Sequence, residues 1–115
     1  MYINNIRELT DDDFLSFKNK IQYNDYDTYQ FVIAYMNGCG WCEKAKPLVL
    51  QLNSLSKNHV FTVAAIDGVN NRIPRQLGIR GFPSFFLIKK DGEIITYDGN
   101  RKIEDIFEFI DKNVI

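Results

Sequence analysis

The stretch Tyr29-Gln30-Phe31-Val32-Ile33-Ala34-Tyr35-Met36-Asn37-Gly38-Cys39-Gly40-Trp41-Cys42 governs how the rest of the chain is read. Residues 29–36 carry no charge and are flanked by turn residues, the pattern of a central strand covered on both faces. Asn37-Gly38-Cys39-Gly40 breaks that strand. From Trp41 onward, apolar residues return at helical spacing: Ala45, Leu48, Val49, Leu52 and Leu55. Pro47 lies inside this helix and is expected to kink it. Cys39 and Cys42 therefore fall where a buried strand hands over to a helix.

Working outward, residues 5–9 read as a short strand. Thr10 and Asp13 resemble a capping box, and Phe14, Phe17 and Ile21 then recur at helical spacing, so 11–21 is expected as helix. Residues 22–28 form a polar loop. Residues 60–66 are a second long strand, and 70–77 a short helix with Pro74 near its first turn. After a loop at 78–82, strands at 84–89 and 93–97 are joined by Lys90-Asp91-Gly92, a hairpin signal. Ile103, Ile106, Phe107, Ile110 and Val114 make one apolar face of a terminal helix. The order β-α-β-α-β-α-β-β-α implies parallel strands with helices on both faces, closed by an antiparallel hairpin. An α/β fold with a mixed central sheet follows from pattern alone.

The chain's 115 residues are enough for one domain, expected over 1–115, with a single core. A formal net charge of -1 argues against nucleic acid as the main partner, because phosphate binding needs a concentrated positive field. No apolar run approaches the roughly 20 residues that cross a bilayer, so no membrane span is expected. The first residues, Met1-Tyr2-Ile3-Asn4-Asn5, lack the basic-then-apolar pattern of a signal peptide. The compartment is left open.

The two cysteines have no other partner, which excludes a disulfide scaffold. At a helix start, unpaired N–H groups and the dipole stabilise a thiolate at Cys39, and the thiolate is the nucleophile of disulfide exchange. Cys42, one turn in, is expected to be the more buried, resolving thiol. Gly40 is expected to let the backbone turn tightly, and Trp41 to cover the sulfurs. Zinc is the alternative use of such a pair, but tetrahedral zinc takes four ligands and the chain adds only His59. An inert disulfide is a second alternative, although one spanning a single turn closes almost no loop and adds little stability. Neither a metal nor a cofactor is expected.

Taken in order, several segments resemble the thioredoxin superfamily, and within it the protein disulfide isomerase domains. They are Leu9-Thr10, Cys39-Gly40-Trp41-Cys42 with Lys44 and Pro47, Ile66-Asp67, Gly78-Ile79-Arg80-Gly81-Phe82-Pro83-Ser84, Lys89-Lys90-Asp91-Gly92-Glu93, and Tyr97-Asp98-Gly99-Asn100-Arg101. The resemblance implies a thioredoxin-like three-layer α/β/α sandwich. It implies a cis bond before Pro83, substrate pairing at the backbone of Phe82, and a substrate surface of Trp41, Phe82 and Pro83. It also implies that Arg101 can swing toward the second cysteine and lower its pKa.

Three positions depart from the family pattern. Ile33 stands where a buried acid usually serves the second cysteine, Gly38 where Trp is usual, and Trp41 where isomerase domains carry His. Asp67 is expected to cap the following turn, and His59, Lys44 and Lys46 to lie on the surface. The expectation is a monomeric thiol–disulfide oxidoreductase acting on protein disulfides or dithiols and exchanging electrons with another thiol system. A thioredoxin-fold binding or chaperone module, or a redox switch with little turnover, is the competing reading.

Overall fold

The computed structural model describes residues 2–13, 29–57, 59–72, 79, 81–90 and 92–114. These form β1 (Arg7–Leu9), β2 (Tyr29–Tyr35), α1 (Gly40–Ser56), β3 (Phe61–Asp67), β4 (Ser84–Ile88), β5 (Ile94–Tyr97) and α2 (Ile103–Asn113). Residues 11–13 are helical and Asp13 accepts the Thr10 N–H at 2.8 Å, one arm of the expected capping box. The rest of the helix expected over 11–21, the loop at 22–28, most of the helix expected over 70–77, and Asp91 of the hairpin lie outside the described residues.

The sheet runs β1-β3-β2-β4-β5. β1 and β2 pair parallel with β3, while β4 pairs antiparallel with β2 and β5 antiparallel with β4. The mixed sheet expected from the pattern is therefore present. Every residue of β2 is buried, as its uncharged run requires. On one face Phe31, Ile33 and Tyr35 join Phe85, Leu87 and Tyr97, and the inward residues of α1 (Ala45, Val49, Leu52) and α2 (Ile106, Ile110) pack onto them. On the other face Val32 and Ala34 pack with Leu9, Ala64, Ile66, Phe86 and Ile88.

Small shifts at strand ends have local causes. β1 starts at Arg7, not at 5, because Asn5 has φ 70°, a left-handed conformation that cannot extend a strand and that Asn tolerates well. β3 runs one residue later than expected because Asp67 stays in register opposite Tyr35. The register also places the site. With Ala34 opposite Ser84, the residues just before β4 arrive at the end of β2 from which α1 begins.

Candidate active site

Cys39 is the N-cap of α1 and Cys42 lies in its first turn. The chain reaches this point through Gly38, whose φ of 80° belongs to the left-handed region. A side chain there would be strained even though the space around it is open. The tight turn expected at Gly40 is therefore made two residues earlier, and Gly40 is the first helical residue. Cys39 Sγ accepts the Cys42 N–H at 3.2 Å and lies 3.7 Å from the Phe82 carbonyl oxygen, to which the thiol can donate. The Phe82–Pro83 bond is cis. Cys42 is 1% exposed and Cys39 only 9%, so the first cysteine is more covered than its expected role suggested.

The two thiols are shifted in opposite directions. Cys39 is held below the ordinary thiol value, first by its side-chain hydrogen bond with Cys42 and then by the Cys42 and Trp41 N–H groups and the Arg101 charge, against the effect of burial. Cys42 is pushed up to about 11, mainly by burial and then by its hydrogen bond to Cys39. The N–H groups of the helix start add to the lowering at the capping sulfur.

Trp41 lies at the mouth of the site, two residues after Cys39 and one before Cys42. It is 62% exposed, with Lys44 Nζ 4.7 Å and Arg101 Cζ 5.8 Å from its ring. Arg101 is exposed and rests beside this ring, from where its charge lowers both thiols. The loop carrying it is tied back by the Tyr97 hydroxyl, which donates to the Asn100 carbonyl at 2.5 Å. Asp67 caps its turn as expected, accepting the Val69 and Asn70 N–H groups at 3.0 and 3.2 Å. Among the described residues no three of His, Cys, Asp or Glu come together as a metal site, and no helix is long and apolar enough to cross a membrane.

The family model described as Thioredoxin matches residues 6–112. The chain belongs to the thioredoxin family. This thioredoxin domain is 34% identical over 80 residues to protein disulfide isomerase-like 1-3 of Oryza sativa subsp. japonica, covering 69% of this chain and 14% of that protein. It is 28% identical to the protein disulfide-isomerase of Zea mays over 69% of this chain and 16% of that one. The chain thus spans about one sixth or less of these relatives' length.

Among solved structures, the first thioredoxin domain of mouse protein disulfide-isomerase A4 matches with a TM-score of 0.73 at 26% identity. That match covers 91% of this chain and 72% of that one. The J-Trx1 fragment of ERdj5 matches with a TM-score of 0.73 at 20% identity, over 94% and 51% of the two chains. The expected α/β/α thioredoxin fold, of the protein disulfide isomerase type, is therefore the fold of this chain.

Beneath the cysteines the thioredoxin domain carries a polar cluster that sequence reasoning missed. The Tyr2 hydroxyl donates to the Cys42 carbonyl, and the Tyr2 ring stacks on Tyr35 with centroids 4.5 Å apart and planes 20° apart. One oxygen of Glu8 accepts the Tyr35 hydroxyl at 2.5 Å and the Tyr2 N–H at 2.9 Å. Both phenols are held well above their ordinary value, first by burial. The next contribution comes from the neighbouring thiol Cys42 for Tyr2, and from the bond to Glu8 for Tyr35. They stay protonated donors throughout the thiol range. Nothing in the spacing of Tyr2 and Cys42, forty residues apart, signals their contact.

Proposed function

We propose that this domain is a thiol–disulfide oxidoreductase acting on protein disulfides and dithiols. The observation that carries the reading is the geometry of the pair: Cys39 caps the start of α1 with its Sγ accepting the Cys42 N–H at 3.2 Å while Cys42 is buried one turn in, an arrangement that makes the first thiol the easier to ionise and the second the harder. The Cys39 thiolate attacks a substrate disulfide, forming a mixed disulfide and releasing one substrate thiolate. Cys42 then loses its proton to solvent and attacks the Cys39 sulfur. The Cys39–Cys42 disulfide forms, the second substrate thiolate leaves, and two electrons have passed to the substrate. Another dithiol system restores the pair. Trp41, Phe82 and Pro83 form the surface for an extended substrate segment, and Arg101 tunes the thiols from beside Trp41.

The test is insulin reduction together with trapping. Cys42→Ser is expected to accumulate mixed disulfides on Cys39 while Cys39→Ser captures nothing. Equal capture by both variants, or no turnover by the parent protein, would overturn the assignment. A binding-module reading draws support from Met36, Trp41 and Val69, large apolar side chains 37%, 62% and 61% exposed. It predicts client binding that survives replacement of both cysteines.

A further inference from the structure

We propose that Tyr2 is a positioning residue of the redox pair, a strut that braces the first turn of α1 at the Cys42 carbonyl and is itself anchored by Glu8 and Tyr35. This rests on the reading of Cys42 as the resolving thiol.

Three observations converge. The first is the place of the contact. Pro47 has no N–H to give the Glu43 carbonyl, so the hydrogen-bond ladder of α1 is broken immediately after Cys42. The Tyr2 hydroxyl supplies a donor to the neighbouring carbonyl from outside the helix. The second is the cost of the anchor. The second carboxylate oxygen of Glu8 is buried with no partner among the described residues, a penalty that packing alone does not explain. The first oxygen spends its capacity on Tyr2 and Tyr35.

The third is the sheet register. Glu8, Ala65 and Ile33 lie in one row across β1, β3 and β2, on the face that packs against α1. Ile33 offers no polar atom to the redox turn. The only carboxylate in that row stands two strands away and reaches the turn through two tyrosines.

The strut has a mechanical consequence. Formation of the disulfide must bring the two sulfurs to about 2.05 Å. With the Cys42 backbone held at its carbonyl, the Cys42 sulfur stays aimed at Cys39 as the mixed disulfide is resolved. Tyr2 is also 6% exposed and belongs to the cluster that encloses Cys42.

The experiment mixes the dithiol with a symmetrical aryl disulfide and follows arylthiolate by absorbance: one equivalent leaves as Cys39 attacks and is loaded, and a second as Cys42 attacks the resulting mixed disulfide. Loading reports Cys39 alone and release reports the Cys42 step. Tyr2→Phe, which keeps the stacked ring, is expected to slow release about five- to tenfold with loading unchanged, the worth of about one hydrogen bond. Glu8→Ala should do the same, whereas Glu8→Gln should stay near the parent rate because an amide oxygen still accepts from Tyr35 and Tyr2. Release at the parent rate in Tyr2→Phe, or loading and release slowed equally in both Tyr2→Phe and Glu8→Ala, would overturn the proposal. Failure of the underlying reading looks different: the parent protein would release the probe no faster than Cys42→Ser.

Discussion

At the scale of single residues, glycine positions that look alike in the sequence carry different physical loads. A Cβ at Gly99 would lie 2.5 Å from Tyr97 Oη and 2.6 Å from Tyr97 Cζ. Tyr97 cannot retreat, because its ring is buried against Phe31 and Phe109. Gly99→Ala is therefore expected to cost about 1–3 kcal/mol and to loosen the loop that carries Arg101. Gly40 meets nothing within 4 Å and is helical. Gly40→Ala should leave the thermal midpoint at or slightly above that of the parent. Thermal unfolding of the two variants checks the contrast, and similar losses in both would refute it.

At the scale of elements, the start of α1 sets the chemistry of the pair. The largest influence lowering Cys39 is its side-chain hydrogen bond with Cys42, ahead of the N–H groups of the first turn and the Arg101 charge. Alkylation followed against pH should show Cys39 titrating below the ordinary thiol value of 9.0 and Cys42 near 11. Cys42→Ala should raise the Cys39 midpoint more than Arg101→Ala does. A larger effect from Arg101→Ala would mean that the exposed guanidinium dominates, contrary to the expected weakness of a charge that sits in water beside Trp41. The strand-to-helix handover at Cys39 was legible from 29–42 because an uncharged run ends at a turn and a 3.6-residue period begins. The location of the turn was not. Gly38 and Gly40 are equally permissive on paper, and only the folded backbone shows that the left-handed residue is Gly38.

At the scale of the whole molecule, the opposed thiols link redox state to stability. In the dithiol form, Cys39 ionises earlier in the folded protein than in the unfolded chain, so its contribution grows as pH rises toward 9. Cys42 behaves in the reverse way. Below its unfolded value of about 9 it is protonated in both states. Between 9 and about 11 the unfolded chain ionises while the folded protein does not, and stability is lost across that window. Burial, the largest cause of the Tyr2 and Tyr35 shifts, acts in both redox forms, whereas the part of the Tyr2 shift due to Cys42 and Cys39 belongs to the dithiol alone and adds to its decline above the ordinary phenol value of 10.0. Denaturant unfolding of the dithiol relative to the disulfide form should therefore show a relative stability maximum near pH 9 and a decline toward pH 11. A difference that does not vary with pH would refute the opposed shifts.

The sequence by itself determined the order of the described strands and of the two helices α1 and α2, the mixed sheet and the end of β2 at which the cysteines sit, because hydrophobic period and turn residues are local properties of the chain. It also placed Cys39 at a helix start, and its resemblance to the family singled out the segment of Phe82, whose carbonyl the antiparallel pairing of β4 with β2 brings to 3.7 Å from the Cys39 sulfur. Only the tertiary structure decided that Trp41 is largely exposed with Lys44 and Arg101 beside its ring, and that Cys39 is largely covered. Those outcomes depend on which distant segments meet. The same holds for the cluster under the pair. Glu8 reads as one more charge on a short edge strand and Tyr2 as an ordinary apolar residue. The parallel register of β1 on β3, and the packing of Tyr2 against Tyr35, turn them into a polar support for the Cys42 carbonyl. A hydrogen bond between residues forty positions apart leaves no period in the sequence, so its existence is a property of the packed molecule alone.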